Sequence, residues 1–101
     1  MKPDFDDLIQ KRQSLLLQMQ SIDRLRRGSL SKQFFKSHPP APPARQGPYY
    51  VLQGYENGRK FSQRVPADEA EAMQVLVDNY KRFQSLAEEY VTTMDALTQP
   101  K

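Results

Sequence analysis

The sequence predicts a mainly α fold with a β-hairpin, in which two long antiparallel helices, paired like a coiled coil, flank a proline-rich loop and a two-stranded β-hairpin. Three observations lead there. Apolar side chains recur at helical spacing near both ends of the chain, prolines crowd its middle, and an Asn-Gly pair separates two β-prone runs. The 101 residues give room for a single domain over 1–101 with one modest core. A hydrophobic fraction of 38% against 27% charged residues suits an elongated helical hairpin better than a sphere.

The first helix is expected over residues 4–27. Phe5, Leu8, Arg12, Leu15, Met19, Ile22 and Arg26 alternate by three and four, and Ile9 and Leu16 widen the stripe. Asp4, Asp6 and Asp7 complement the positive end of the helix dipole, and Arg24, Arg26 and Arg27 the negative end. Gly28 is the expected left-handed stop.

Residues 28–48 read as a basic, proline-rich loop. Pro39, Pro40, Pro42, Pro43 and Pro48 exclude helix and predict an extended, polyproline-like connector. The hairpin is expected over 49–65, turning at Asn57-Gly58, because both residues tolerate the positive φ of a type I′ turn. A two-residue loop sets Glu56 opposite Arg59, Tyr55 opposite Lys60, Gly54 opposite Phe61, Leu52 opposite Gln63 and Tyr50 opposite Val65. One face, with Tyr50, Leu52, Phe61 and Val65, should pack on the helices, the Phe61 ring covering Gly54. The other carries Tyr49, Val51, Gln53, Tyr55, Lys60, Ser62 and Arg64 toward solvent.

The second helix is expected over 67–97. Met73, Leu76, Tyr80, Phe83, Ala87, Tyr90, Met94 and Leu97 occupy the core positions of a heptad without a break. Pro66 suits the entry to a first turn, Asp68, Glu69 and Glu71 complement the dipole, and Pro100 lies beyond the end. Two apolar stripes need partners, met by packing on each other, by dimerisation, or by a partner protein.

The formal net charge of +3 hides an uneven arrangement. Between Arg24 and Arg64 there are nine basic residues and one acid, Glu56, so that stretch carries +8 and the flanks together −5. Such a segment favours a polyanionic partner.

Several enzyme and metal readings fall away. The chain has no cysteine and one histidine, His38, too few of the usual ligands for a structural zinc site, so no cofactor is expected. Ser29-Leu30-Ser31-Lys32 matches the Ser-x-x-Lys pattern of penicillin-binding enzymes, but that chemistry needs further motifs in a far larger fold. The adjacent acids Asp6-Asp7 and Glu88-Glu89 point to different helix faces and make no general acid and base pair. Phe34 and Phe35 pack under the hairpin or form a contact patch. The longest apolar run, Tyr49 to Leu52, is far too short to cross a bilayer, and the opening residues lack the apolar stretch of a signal peptide. A cytoplasmic location without membrane contact is expected.

Arg26-Arg27-Gly28-Ser29, Gly47-Pro48-Tyr49-Tyr50, Val65-Pro66, and then Asn79-Tyr80 and Arg82-Phe83 in a long helix form an ordered set of short motifs. Over about residues 22–95 the chain resembles an uncharacterised family of short bacterial proteins often found beside transposases and other mobile-element genes. Its members read R-R-G-S, C-G-x-x-x-C-x-C, H-G-P-Y-Y and V-P. The resemblance implies a DNA-linked role and, in that family, a small zinc-binding knuckle. Here residues 37–46 replace the cysteine loop and its histidine, so the resemblance does not bring zinc to this chain.

The function expected is that of a non-enzymatic nucleic-acid-binding accessory module, for DNA rather than RNA. Arg26, Arg27, Lys32, Lys36, Arg45, Lys60 and Arg64 are the candidates for phosphate contact. Tyr49 and Tyr55 are the candidates for packing on sugar or base. The alternative is a protein-interaction adaptor in which the heptad helix engages a partner and the basic segment is a soluble cap. In that case Arg24, Arg26 and Arg27 only compensate a helix C-terminus.

Overall fold

A computed structural model describes residues 4–33 and 48–99. It corrects the expected fold class. Helix α1, Phe5–Gln20, is followed by a three-stranded antiparallel sheet of β1, Ser29–Gln33, β2, Tyr49–Glu56, and β3, Arg59–Val65. A 3-10 turn at Ala67–Glu69 leads into helix α2, Ala70–Thr98. The sheet order is β1-β2-β3, so β2 is central and the hairpin is two-thirds of a sheet rather than a free ribbon.

Helix α1 starts where the acids predict and stops about two turns early. The Asp4 carboxylate accepts the Phe5 N–H at 2.8 Å, satisfying one of the orphan donors of the first turn. At the other end the Ser21 N–H donates to the Leu17 carbonyl at 3.1 Å, and its hydroxyl donates to the Gln18 carbonyl. Residues 22–27 then leave the helix. The Arg26 N–H, expected to continue the helical ladder, donates instead to the carbonyl of Leu76 inside α2 at 3.0 Å. A tertiary bond thus overrides the helical period that runs through Ile22 and Arg26. Gly28 is therefore no helix stop. It has φ +120 at the entry to β1, where a Cβ would lie 2.6 Å from the Gln53 carbonyl oxygen, so only glycine fits.

Strand β1 lies inside the segment expected to be loop. It pairs with β2 from Ser29 opposite Gln53 to Gln33 opposite Tyr49. The hairpin register is the expected one throughout, from Glu56 opposite Arg59 to Tyr50 opposite Val65. Asn57 and Gly58 take φ 53 and φ 79, the left-handed pair that a two-residue turn needs.

The chain divides into two compact units, each using part of α2. One is Leu25–Tyr80. Its core is Leu52, Val65 and Val77, with Leu30, Tyr50, Phe61 and Met73 packed against it. The Phe61 ring covers Gly54 as expected: a Cβ on Gly54 would sit 2.8 Å from the ring. The other unit comprises Met1–Arg24 and Lys81–Lys101. Here Leu15, Leu86 and Thr93 are buried, and a guanidinium nitrogen of Arg12 lies 4.0 Å from the Met94 sulfur. The buried Thr93 hydroxyl donates to the Glu89 carbonyl one turn earlier at 2.8 Å.

The unbroken heptad of the second helix is also corrected. Burial follows Ala70, Met73, Val77 and Tyr80 in the first unit, then Phe83, Leu86, Tyr90, Thr93 and Leu97 in the second. Ala70, Val77, Leu86 and Thr93 are the buried residues, and the last three each lie one place away from the expected Leu76, Ala87 and Met94. Three successive steps of three, from Val77 through Tyr80 and Phe83 to Leu86, shift the phase along α2.

Candidate nucleic-acid interface

Opposed residues in an antiparallel ladder share a face, so the register sorts the candidate residues. Tyr49, Tyr55, Lys60 and Arg64 fall on one face together, the face away from Leu52 and Val65. Strand β1 adds Ser29, Ser31 and Gln33 to it, which sequence reasoning missed because that segment read as loop. This face is polar but not uniformly solvated. Val51, expected toward solvent, is buried at 8% exposure, since it occupies the middle of the central strand between Ser31 and Arg64.

A chain of contacts crosses the sheet on this face. The Arg64 guanidinium carbon lies 4.7 Å from the centroid of the Tyr49 ring, a cation–π distance. The Tyr49 hydroxyl donates to the Gln33 side-chain oxygen at 3.0 Å. The Gln33 amide donates to the Ser31 hydroxyl at 3.2 Å, and that hydroxyl donates to the Val51 carbonyl at 3.4 Å. Tyr49 is therefore held at both its ring and its hydroxyl. Tyr55, by contrast, is 66% exposed, and Lys60 stands directly opposite it.

The remaining cations are dispersed. Arg26 is half-buried, 5.4 Å from the Phe61 ring centroid, and donates to the Gln63 side-chain oxygen at 3.3 Å. It belongs to the core-side face, where it clamps β3. Lys32 lies opposite Tyr50 and so also on the core-side face, at its exposed rim. Lys36 and Arg45 lie outside the described residues, as do Phe34, Phe35 and His38.

Arg27 borders an open cleft of about 460 Å³ at the end of the sheet. Gly28, Ser29, Gln53, Gly54, Tyr55, Lys60 and Tyr80 complete its lining. Two basic residues and two tyrosines thus border one space together with two glycines. Sequence reasoning missed Tyr80 as a lining residue because its heptad position read as helix core.

Among the described residues, no group of three or more His, Cys, Asp or Glu side chains is placed to hold a metal ion. No helix of the described residues is long and apolar enough to cross a membrane. The chain matches no protein-family model, no curated protein and no solved structure.

Proposed function

We propose that the protein is a non-enzymatic nucleic-acid-binding accessory module that contacts phosphates through the sheet face bearing Lys60 and Arg64. The observation that carries this reading is the register, which gathers Tyr49, Tyr55, Lys60 and Arg64 onto one polar face within the +8 segment. Cations there neutralise phosphate, and the exposed Tyr55 ring packs on sugar or base. Arg26 is withdrawn from the contact set in this proposal, because its guanidinium lies with Phe61 and Gln63 on the core-side face, away from Lys60 and Arg64. DNA rather than RNA, and a mobile-element setting, come into the proposal from the motif resemblance alone.

The test is a binding titration with duplex and single-stranded oligonucleotides across salt. If about four to six phosphates are neutralised on a duplex, log affinity falls against log salt with a slope of about −4 to −5. Absence of binding at low salt would sink the reading.

A second reading is an interaction adaptor, expected to engage its partner through the heptad helix; the exposed apolar side chains of α1 offer it a different surface. Phe5 is 50% exposed, Leu16 39% and Leu17 67%, so α1 leaves three large apolar side chains open to solvent. Concentration-dependent mass in solution distinguishes it.

A further inference from the structure

The cleft beside Tyr55 carries chemistry that a phosphate-tracking surface does not require. We propose that it is a subsite for one unpaired nucleotide of a single strand, with the phosphate at Arg27 and Lys60 and the ring seated against Tyr55 and Tyr80. This rests on the nucleic-acid reading and adds to it the strand state that the protein selects.

Four observations lead to it. The cleft has a volume of about 460 Å³, within the range of about 300–1,000 Å³ usual for small-molecule sites. Its cations come from separate elements, Arg27 from the segment before β1 and Lys60 from β3, so they border the space instead of pointing along one strand. Its two phenol rings, Tyr55 of β2 and Tyr80 of α2, supply apolar faces that a bare phosphate leaves unused. Two glycines border it, and a Cβ on Gly54 would sit 3.0 Å from the Gly28 Cα, so the backbones of the two segments approach closely there.

A base stacked in a duplex presents no free ring face, whereas an unpaired base offers one and exposes its hydrogen-bonding edge. Ser29 and Gln53 border the same space, and both residue types carry donors and acceptors suited to that edge. An inorganic anion would use Arg27 and Lys60 alone. A paired strand would meet Lys60 and Arg64 on the sheet face and seat no base in the cleft.

The experiment uses the full chain, a fluorescent oligothymidylate and a duplex of the same length, at fixed low salt. Thymidine 5′-monophosphate, thymidine and inorganic phosphate serve as competitors. Tyr55 is exposed and Arg27 lies on the surface, so Tyr55→Ala and Arg27→Ala are expected to fold, which melting curves check. The single strand should bind more tightly than the duplex, and Tyr55→Ala should weaken the single strand about tenfold, by a clearly larger factor than it weakens the duplex. Arg27→Ala should reduce competition by the monophosphate and leave that by thymidine unchanged. If the duplex binds but the single strand binds no better, or if inorganic phosphate competes as well as the monophosphate, the cleft inference is overturned and the basic-face reading stands. If neither oligonucleotide binds, both fall.

Discussion

Arg64 lies over the ring of Tyr49 at 4.7 Å, and the hydroxyl of that ring is bonded to Gln33 two strands away from Arg64. A residue that reads in sequence as a nucleic-acid contact is thus also a brace that joins β3 to β1 across β2. Arg64→Ala is expected to cost about 0.5–1 kcal/mol of stability from the lost cation–π contact, whatever it does to binding. Tyr49→Phe, which keeps the ring and removes the bond to Gln33, should cost about 0.5–1.5 kcal/mol. Chemical denaturation of both variants and their double mutant measures the coupling. Strict additivity would mean that the brace does not act as a unit.

The electrostatic contribution of the face is separable from that brace. Lys60→Ala with Arg64→Lys retains a cation at 64 and removes one at 60. It should flatten the salt dependence by about one unit of slope, and Lys60→Ala with Arg64→Ala by about two. Equal slopes in the wild type and both double variants would remove Lys60 and Arg64 from the contact set.

Core substitutions test the two compact units in turn. Leu52 is fully buried and Leu15 is 3% exposed. Leu52→Ala and Leu15→Ala should each cost about 2–5 kcal/mol in equilibrium unfolding. Phe83, which lies on the expected heptad seam, is only half-buried, so Phe83→Ala should cost less than the same truncation of a fully enclosed ring. Losses under about 0.5 kcal/mol at Leu15 and Leu52 would show that these side chains are not enclosed.

Three glycines are expected to respond differently to alanine. At Gly58 the space is open and only φ +79 opposes a side chain, so Gly58→Ala should cost about 1–2 kcal/mol. At Gly28 the carbonyl of Gln53 and at Gly54 the ring of Phe61 also stand in the way. Both substitutions should lower the melting temperature more than Gly58→Ala does, and the reverse order would contradict the close approach of Gly28 to Gln53 and of Phe61 to Gly54.

A chelator is expected to leave the melting temperature unchanged. The chain has no cysteine and one histidine, so bound metal would have few of its usual ligands with which to stabilise the fold. A clear drop on adding chelator would overturn that expectation.

What was legible in the sequence follows the range of the interactions. The hairpin register could be read because Asn57-Gly58 fixes it locally, and the Phe61 cover over Gly54 follows from that register. Strand β1 could not. Its composition, Ser-Leu-Ser-Lys-Gln, has one apolar residue, and its partners lie across the proline-rich segment. The end of α1 was misread because the bond that draws Arg26 out of the helical period comes from Leu76, distant in sequence. The four-residue face was legible once the register was known, whereas the cleft required Arg27 and Tyr80, which no local pattern brings together.

The division of the chain has a consequence for how it folds. Leu25–Tyr80 is continuous, whereas the other unit is built from the two ends of the chain. Joining those ends while the intervening residues are still coil requires closing a long loop, and closure entropy rises with loop length. Once β1, β2, β3 and the first turns of α2 have formed, that loop is already shortened. Folding from the inside outward is therefore the kinetically favoured order, with contacts at Leu52 and Val77 present in the transition state and those at Leu15 and Leu86 formed after it. Truncation at Leu52 should then slow folding, while truncation at Leu15 should mainly speed unfolding.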